Sequence, residues 1–260
     1  MRLFRLKPKA PRPASWRPAP GQLPEGLRVY AIGDIHGCDS MLERLHDLIA
    51  LDWAAAPAAR AVVVHLGDFV DRGAQGAAVL ERVAGPPPIG GAESVSLRGN
   101  HEVMMLDALA PDATPDAHSL WLANGGTATL ESFPDGVPGH VLDWLRALPL
   151  RWQAGNYLFV HAGIDPRKAL DAQTEADLLW IREPFLSWSG PLGVVVVHGH
   201  TPVPKPQLWD NRIGIDTGAV GGGPLTCLVL QADRLRFLAV PAAPARPRHD
   251  AVLRSGPGLR

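Results

Sequence analysis

The sequence predicts a layered α/β fold with a mixed sheet. Three observations predict it. Short β-branched runs recur along residues 27–240, helical patterns alternate with the first of these runs, and the C-terminal part is strand-rich. The runs are Leu27–Ile32, Ala61–Leu66, Glu93–Leu97, Asn156–Val160, Gly193–Val197 and Arg212–Ile215. The second is apolar but for His65, and Gly193–Val197 carries no polar side chain. Strands buried on both faces read this way.

Helices fall between them. Ser40 and Glu43 stand at capping-box spacing, and Leu42, Leu45, Leu48 and Ile49 follow at helical period. Ala77–Val83 makes a second helix. Residues 103–151 read as largely helical, with Trp121, Leu122, Leu130, Leu142, Trp144, Leu145 and Leu148 as apolar positions. Glu175–Arg182 is a further helical piece. A hairpin of Leu225–Leu230 and Leu235–Val240 turns at Ala232-Asp233.

Outside this unit the chain changes character. Residues 1–26 hold six prolines and a net charge of +5, which reads as an extended basic arm. Residues 241–260 carry +3 and read as a disordered tail. Removing these two contributions from the overall −1 leaves −9 on residues 27–240. Buried carboxylates offset by bound cations give such a balance, and so does a solvated acidic surface.

Composition excludes several classes. Apolar residues are 46% of the 260, enough for a sizeable core, and charged residues are 20%, too few for global disorder. No apolar run is long enough to span a bilayer, and the basic N-terminus lacks the apolar stretch of a signal peptide. A cytoplasmic location is the expectation. Cys38 and Cys227 are the only cysteines, so no disulfide framework is expected.

The polar motifs all follow apolar runs. Ile32 leads into Gly33-Asp34-Ile35-His36-Gly37, and Leu66 into Gly67-Asp68-Phe69-Val70-Asp71-Arg72-Gly73. Leu97 leads into Arg98-Gly99-Asn100-His101-Glu102, Val160 into His161-Ala162-Gly163, and Val197 into His198-Gly199-His200-Thr201. In open α/β sheets ligands bind at the carboxyl ends of strands. Five ends bearing Asp, Asn or His would therefore converge on one site.

Asp34, His36, Asp68, Asn100, His161 and His200 offer oxygen and nitrogen donors, which suit Mn, Fe or Zn. Six donors exceed the needs of one tetrahedral ion and suit two, with one carboxylate shared. Two close ions lower the pKa of a trapped water and clamp the oxygens of a phosphoryl group. Arg72 and Arg98 lie beside these motifs, and the guanidinium fork matches phosphate oxygens. His101 can donate a proton to a leaving oxygen, with Asp71 to hold its ring. His65 reads as a core histidine, His46 as a solvated helix residue, and His118, His140 and His249 as surface residues. Asp216-Thr217-Gly218 reads as a plain turn.

The ordered set GDxHG, GDxxDRG, GNHE, HAG and GHT resembles the phosphoprotein phosphatase branch of the calcineurin-like metallophosphoesterases. The resemblance covers about residues 28–220, and its HAG and GHT forms are most similar to the bacterial and phage-type serine/threonine protein phosphatases. Trp180-Ile181-Arg182-Glu183 resembles their Trp-x-Arg-Glu element. The resemblance implies a four-layer α/β/β/α sandwich with mixed sheets. It implies Asp34 and His36 on one metal, Asp68 bridging, and Asn100, His161 and His200 on the other. His101 would be the general acid with Asp71 behind it, and Arg72, Arg98 and Arg182 would hold phosphate. Two divalent ions follow, with manganese the usual activator and iron or zinc as alternatives. The stretch from His118 to Thr127 resembles a Trp-x₂-Asn-Gly-Gly segment common in the bacterial members.

Three functions stand. The first is a serine/threonine-type protein phosphatase, acting on phosphorylated proteins or small phosphoesters, supported by Asp71-Arg72-Gly73 and by Glu102. The second is a dinucleoside polyphosphate hydrolase such as a diadenosine tetraphosphatase, whose members share most of these motifs but tend to vary the DRG triplet and carry Asp after GNH. The third is a non-catalytic module whose basic arm contacts nucleic acid or an anionic membrane.

Overall fold

The computed structural model describes residues 15–242. The tail expected over 241–260 and the first part of the arm, residues 1–14, lie almost wholly outside the described residues. The strands are β1 (Arg17–Pro18), β2 (Leu27–Ile32), β3 (Arg60–His65), β4 (Glu93–Ser96), β5 (Arg151–Ala154), β6 (Tyr157–Val160), β7 (Val195–His198), β8 (Gln207–Leu208), β9 (Arg212–Gly214), β10 (Leu225–Gln231) and β11 (Arg234–Val240). They form two sheets, ordered β1-β11-β10-β2-β3-β4 and β5-β6-β7-β9-β8. Both are mixed. Strands β2, β3 and β4 run parallel, as do β6, β7 and β9, while the hairpin β10–β11 and strands β5 and β8 are antiparallel.

Side-chain alternation explains the layering. Val29 and Ala31 of β2 meet Tyr157 and Phe159 of β6 and Val195 and Val197 of β7 between the sheets. Tyr30 and Ile32 face the other way, onto helix α1 (Asp39–Ala55) through Leu42, Leu45 and Ile49. Leu158, Val160 and Val196 turn outward from the second sheet, under Leu178 and Phe185. Four layers result, as expected, with a thick helical layer on one side and a thin one on the other.

The helices follow the sequence with definite departures. Helix α2 is Gly76–Ala84. The stretch expected to be helical over 103–151 is four helices, α3 (Asn100–Ala108), α4 (Pro115–Trp121), α5 (Thr127–Ser132) and α6 (Gly139–Ala147). Pro111, Pro134 and Pro138 interrupt it, and Arg151 already begins β5. Between α4 and α5 the chain makes one wide π-type turn, Leu122–Gly126, kinked at Gly125. Helix α7 is Glu175–Trp180. The expected capping box of α1 does not form, because the helix starts at Asp39 and the Ser40 hydroxyl donates to Gln75 Oε1 at 3.1 Å. His46 is buried rather than solvated, since it shares the inward face of α1 with Leu42, Leu45 and Ile49.

The last part of the arm, residues 15–26, packs against the sandwich. β1 pairs with β11, Leu23 is buried, and the Tyr157 hydroxyl accepts from Gly21 N at 3.1 Å. Trp16 lies against the guanidinium of Arg236, 4.2 Å from its ring centroid. Arg236 and Arg28 both pair with the buried Asp52 of α1, to which Tyr30 also donates at 2.8 Å.

Candidate active site

The parallel strands of both sheets end on the same side. Their carboxyl ends bring together residues far apart in sequence. The His36 amide donates to Asp68 O at 2.8 Å, and the Gly199 amide to His161 O at 2.8 Å, so adjacent strand ends are locked to each other. The backbone here is strained. Among the described residues six non-glycines have φ in the left-handed region. Five are His36, Asp68, Asp71, Arg72 and His200. Such clustering marks sites where side-chain aim outweighs local comfort. Space is equally tight. A Cβ on Gly99 would lie 2.3 Å from Asp68 Oδ1, and one on Gly199 would collide with the Asp34 carboxylate.

Asp68 sits at the centre. Its Oδ2 is 3.3 Å from His36 Nε2 and its Oδ1 is 3.4 Å from His161 Nε2. The carboxylate thus faces two groups of donors at once, one made with His36 and His101, the other with His161 and His200. Asn100 Oδ1 completes the second group, 2.8 Å from His161 Nε2 and 3.0 Å from His200 Nδ1. Asp34 accepts the His200 amide on both oxygens, at 3.2 and 3.0 Å. All six residues are buried.

The hydrogen positions test whether these donors suit a cation. His161 Nδ1 lies 2.8 Å from the Leu66 carbonyl, and His36 Nδ1 lies 2.8 Å from the Val70 carbonyl. A carbonyl only accepts, so each Nδ1 carries the proton and each Nε2 is a lone pair. His161 Nε2 then faces the Asn100 and Asp68 oxygens, three acceptors with no proton among them. A cation between them relieves that repulsion. The set of nitrogen and oxygen donors fits two divalent ions of the Mn, Fe or Zn kind.

Electrostatics agree. Burial, then Asp216 and Asp68, holds the Asp34 carboxyl well above the usual carboxylate range. Burial works the same way on Asp68, but His161, His101 and His36 around it outweigh burial and keep it well below. Burial pushes His200 down to about 3 and lowers His161, so it favours the neutral imidazole at both.

Beside the donors stands a second arrangement. His101 Nδ1 donates to Asp71 Oδ2 at 2.7 Å. Asp71 Oδ1 accepts from Trp121 Nε1 at 2.9 Å and from the Thr129 hydroxyl at 2.7 Å. Arg72 donates to His101 Nε2 at 2.8 Å and to His36 Nε2 at 2.9 Å. The Trp-x₂-Asn-Gly-Gly segment thereby gains a role. Trp121 braces Asp71, Gly125 O accepts the Arg72 amide at 3.1 Å, and Gly126 leaves room for the Trp121 ring.

These groups surround a cavity of about 180 Å³, lined by Asp68, Arg72, Asn100, His101, Asn124, Trp180, Arg182 and His200. Arg72 and Arg182, two of the three arginines expected to hold phosphate, both line it. Arg98 does not. Its Nη2 donates to the carbonyls of Arg146 and Leu148 at 2.6 and 3.2 Å, at the C-terminal end of α6, and its Nη1 is 4.0 Å from Glu175. Carbonyls unpaired at a helix end attract such a cation.

Two buried carboxylates escape the sequence motifs as first read. Asp216, expected in a plain turn, lies behind Asp34 and shifts it. Glu102 accepts backbone amides from Asp68, Phe69, Val70 and Gly99 at 2.7–3.3 Å, tying two motif loops together. Burial pushes Glu102 up to about 7, with Asp68 adding to it.

Comparison with known proteins follows the same pattern. The profile of the calcineurin-like phosphoesterase family matches residues 27–230. The chain is 32% identical to serine/threonine-protein phosphatase 1 of Salmonella typhimurium, over 78% of this chain and 92% of that protein. It is also 32% identical to a symmetrical bis(5'-nucleosyl)-tetraphosphatase of a Janthinobacterium species, over 81% of this chain and 67% of that protein. Further bacterial relatives carry the same tetraphosphatase name. A solved structure of a putative diadenosine tetraphosphatase superposes with a TM-score of 0.61 at 24% identity, covering 83% of this chain and 94% of that one.

Proposed function

The chain belongs to the calcineurin-like phosphoesterase family, and within it we propose a dinucleoside tetraphosphate hydrolase that splits its substrate symmetrically into two nucleoside diphosphates. The hydrolytic reading is carried by Asp68, whose two oxygens face two donor groups beside the His101–Asp71 pair. The substrate reading is supported by the prevalence of symmetrical tetraphosphatases among the named relatives.

This departs from the phosphoprotein preference that Arg72 and Glu102 carry in the sequence. Glu102 is spent on four backbone amides and Arg72 reaches two imidazoles. Their roles are internal to the site and say little about what carries the phosphate. The phosphoprotein reading retains one specific support, the near full-length match to the Salmonella phosphatase.

We assign Asp34 and His36 to one metal, Asn100, His161 and His200 to the other, and Asp68 to both. Two divalent ions, manganese first, would supply Lewis acidity and an acidified water when bound. The chain's own groups do the rest. Arg72 and Arg182 neutralise phosphate oxygens at the cavity wall. Asp71 accepts from Nδ1 of His101 and so keeps the ring aimed, and once Arg72 turns from His101 Nε2 to a phosphate oxygen, Nε2 can carry the proton that goes to the leaving oxygen. Among the described residues no helix is long and apolar enough to cross a membrane.

The test is turnover of diadenosine tetraphosphate beside a phosphoserine peptide, with added Mn²⁺ and a His101→Ala control. Preferential cleavage of the tetraphosphate to ADP supports the reading. Preference for the peptide transfers the assignment to a protein phosphatase.

A further inference from the structure

We propose that Trp180 is the specificity residue that stacks on a nucleobase of the substrate. The inference deepens the dinucleoside tetraphosphate reading and rests on it. Seven of the eight residues lining the catalytic cavity are polar or charged, and Trp180 is the exception. Trp180 is 42% exposed, although the preceding Leu178 and Leu179 of α7 are buried. The core does not use this ring, and a phosphate has no use for it. Large apolar side chains left open in a polar site signal a ligand with an apolar face.

The position is suited to that role. The Trp180 ring lies 6.4 Å from His200, centroid to centroid, at an interplanar angle of 81°. Two residues further on, Arg182 also lines the cavity. A stacking ring and a phosphate-binding guanidinium are thus offered by one short segment. The cavity, at about 180 Å³, is below the roughly 300–1,000 Å³ of sites that engulf a drug-sized ligand. It has room for a phosphoryl group but not for a nucleoside, which must extend beyond it, and Trp180 both lines the cavity and is open to solvent. Stacking is tolerant of base identity, since every base has a π-face, so Trp180 would select for a nucleoside rather than for adenine over guanine.

The experiment uses the Mn²⁺-loaded full chain and inhibition of p-nitrophenyl phosphate hydrolysis by two probes, ADP and inorganic diphosphate. Wild type, Trp180→Leu and Trp180→Phe are compared, with diadenosine tetraphosphate turnover by wild type measured alongside. The expected result is that Trp180→Leu weakens ADP about tenfold, within the range of base–aromatic stacking, and diphosphate by less than about threefold. Trp180→Phe recovers most of the ADP affinity. Equal weakening of both probes by Trp180→Leu overturns the inference and leaves the parent reading standing. Wild-type protein that cleaves a phosphoserine peptide but not diadenosine tetraphosphate overturns both.

Discussion

His101 Nδ1 donates to Asp71 Oδ2 at 2.7 Å, and the opposite oxygen of Asp71 is held by Trp121 and Thr129. The carboxylate cannot rotate without breaking two further hydrogen bonds, so the imidazole it holds presents Nε2 to the cavity. Asp71→Asn puts an amide donor within reach of a ring nitrogen that is itself a donor, and favours the wrong tautomer. The expected loss in kcat is about 10²–10⁴-fold, the range for general acid–base groups, with circular dichroism unchanged. Trp121→Phe removes one of the braces and lowers kcat by about tenfold.

His101 itself gives a substrate-dependent outcome. A serine alkoxide leaves poorly without a proton, whereas a nucleoside diphosphate leaves as a stabilised phosphate anion with a second pKa of about 6. His101→Asn therefore costs about 10²–10³-fold on a phosphoserine peptide and about tenfold on diadenosine tetraphosphate. Equal losses on the two, measured as kcat/KM, remove His101 from the general-acid role.

Asp216 adds a negative charge behind Asp34, and with Asp68 it raises the Asp34 carboxyl. That crowding of carboxylates favours a bound cation. Asp216→Asn weakens Mn²⁺ binding about tenfold, the scale of one partly screened charge. Isothermal titration of the chelator-stripped protein measures it, and an unchanged affinity removes Asp216 from the site's electrostatics.

Stability depends on pH through a pair outside the site. His46 Nε2 and His65 Nε2 lie 3.4 Å apart, and burial first pushes them down to about 4 and about 3 from 6.5. The unfolded chain takes up protons below 6.5 while the folded one does not. Stability is therefore intact above 6.5 and falls as pH drops toward 3–4, at most by about 2 kcal/mol per histidine at about pH 5. A His65→Leu variant flattens that part of the urea-denaturation profile; an unchanged slope contradicts the account.

Much of this was legible in the residues. Motifs at the ends of apolar runs located Asp34, His36, Asp68, Asn100, His161 and His200, because strand polarity carries each motif to the same edge. Asp71 came the same way, whereas Arg182, which follows helix α7 and not a strand, was reached only through the resemblance to the Trp-x-Arg-Glu element. Arg98 misled, since adjacency along the chain does not reveal that the end of α6 presents its carbonyls to that guanidinium. His46 misled because its place on the inner face of α1 depends on what the helix packs against. Glu102 and Trp121 could be seen but not interpreted, since apart from the Gly99 amide their partners are backbone amides and a carboxylate 32 to 50 residues away. The packing of residues 15–26 was hidden by proline content. Proline suits an edge strand such as β1 as well as a loose arm.

The anchor of that segment is testable too. Asp52 is 7% exposed and pairs with Arg28 and Arg236. Asp52→Ala leaves two buried guanidinium groups uncompensated and costs about 3–5 kcal/mol. Urea denaturation reads the loss, and a change below 1 kcal/mol (about one fifth of the upper figure) contradicts the buried-pair description.

The central claim is a dinuclear centre that shares Asp68. Its most direct test is metal content of the active, desalted enzyme, measured by mass spectrometry together with turnover. The account predicts two ions per chain, falling to about one in Asn100→Ala with activity largely lost. Full activity with one ion or none per chain contradicts it.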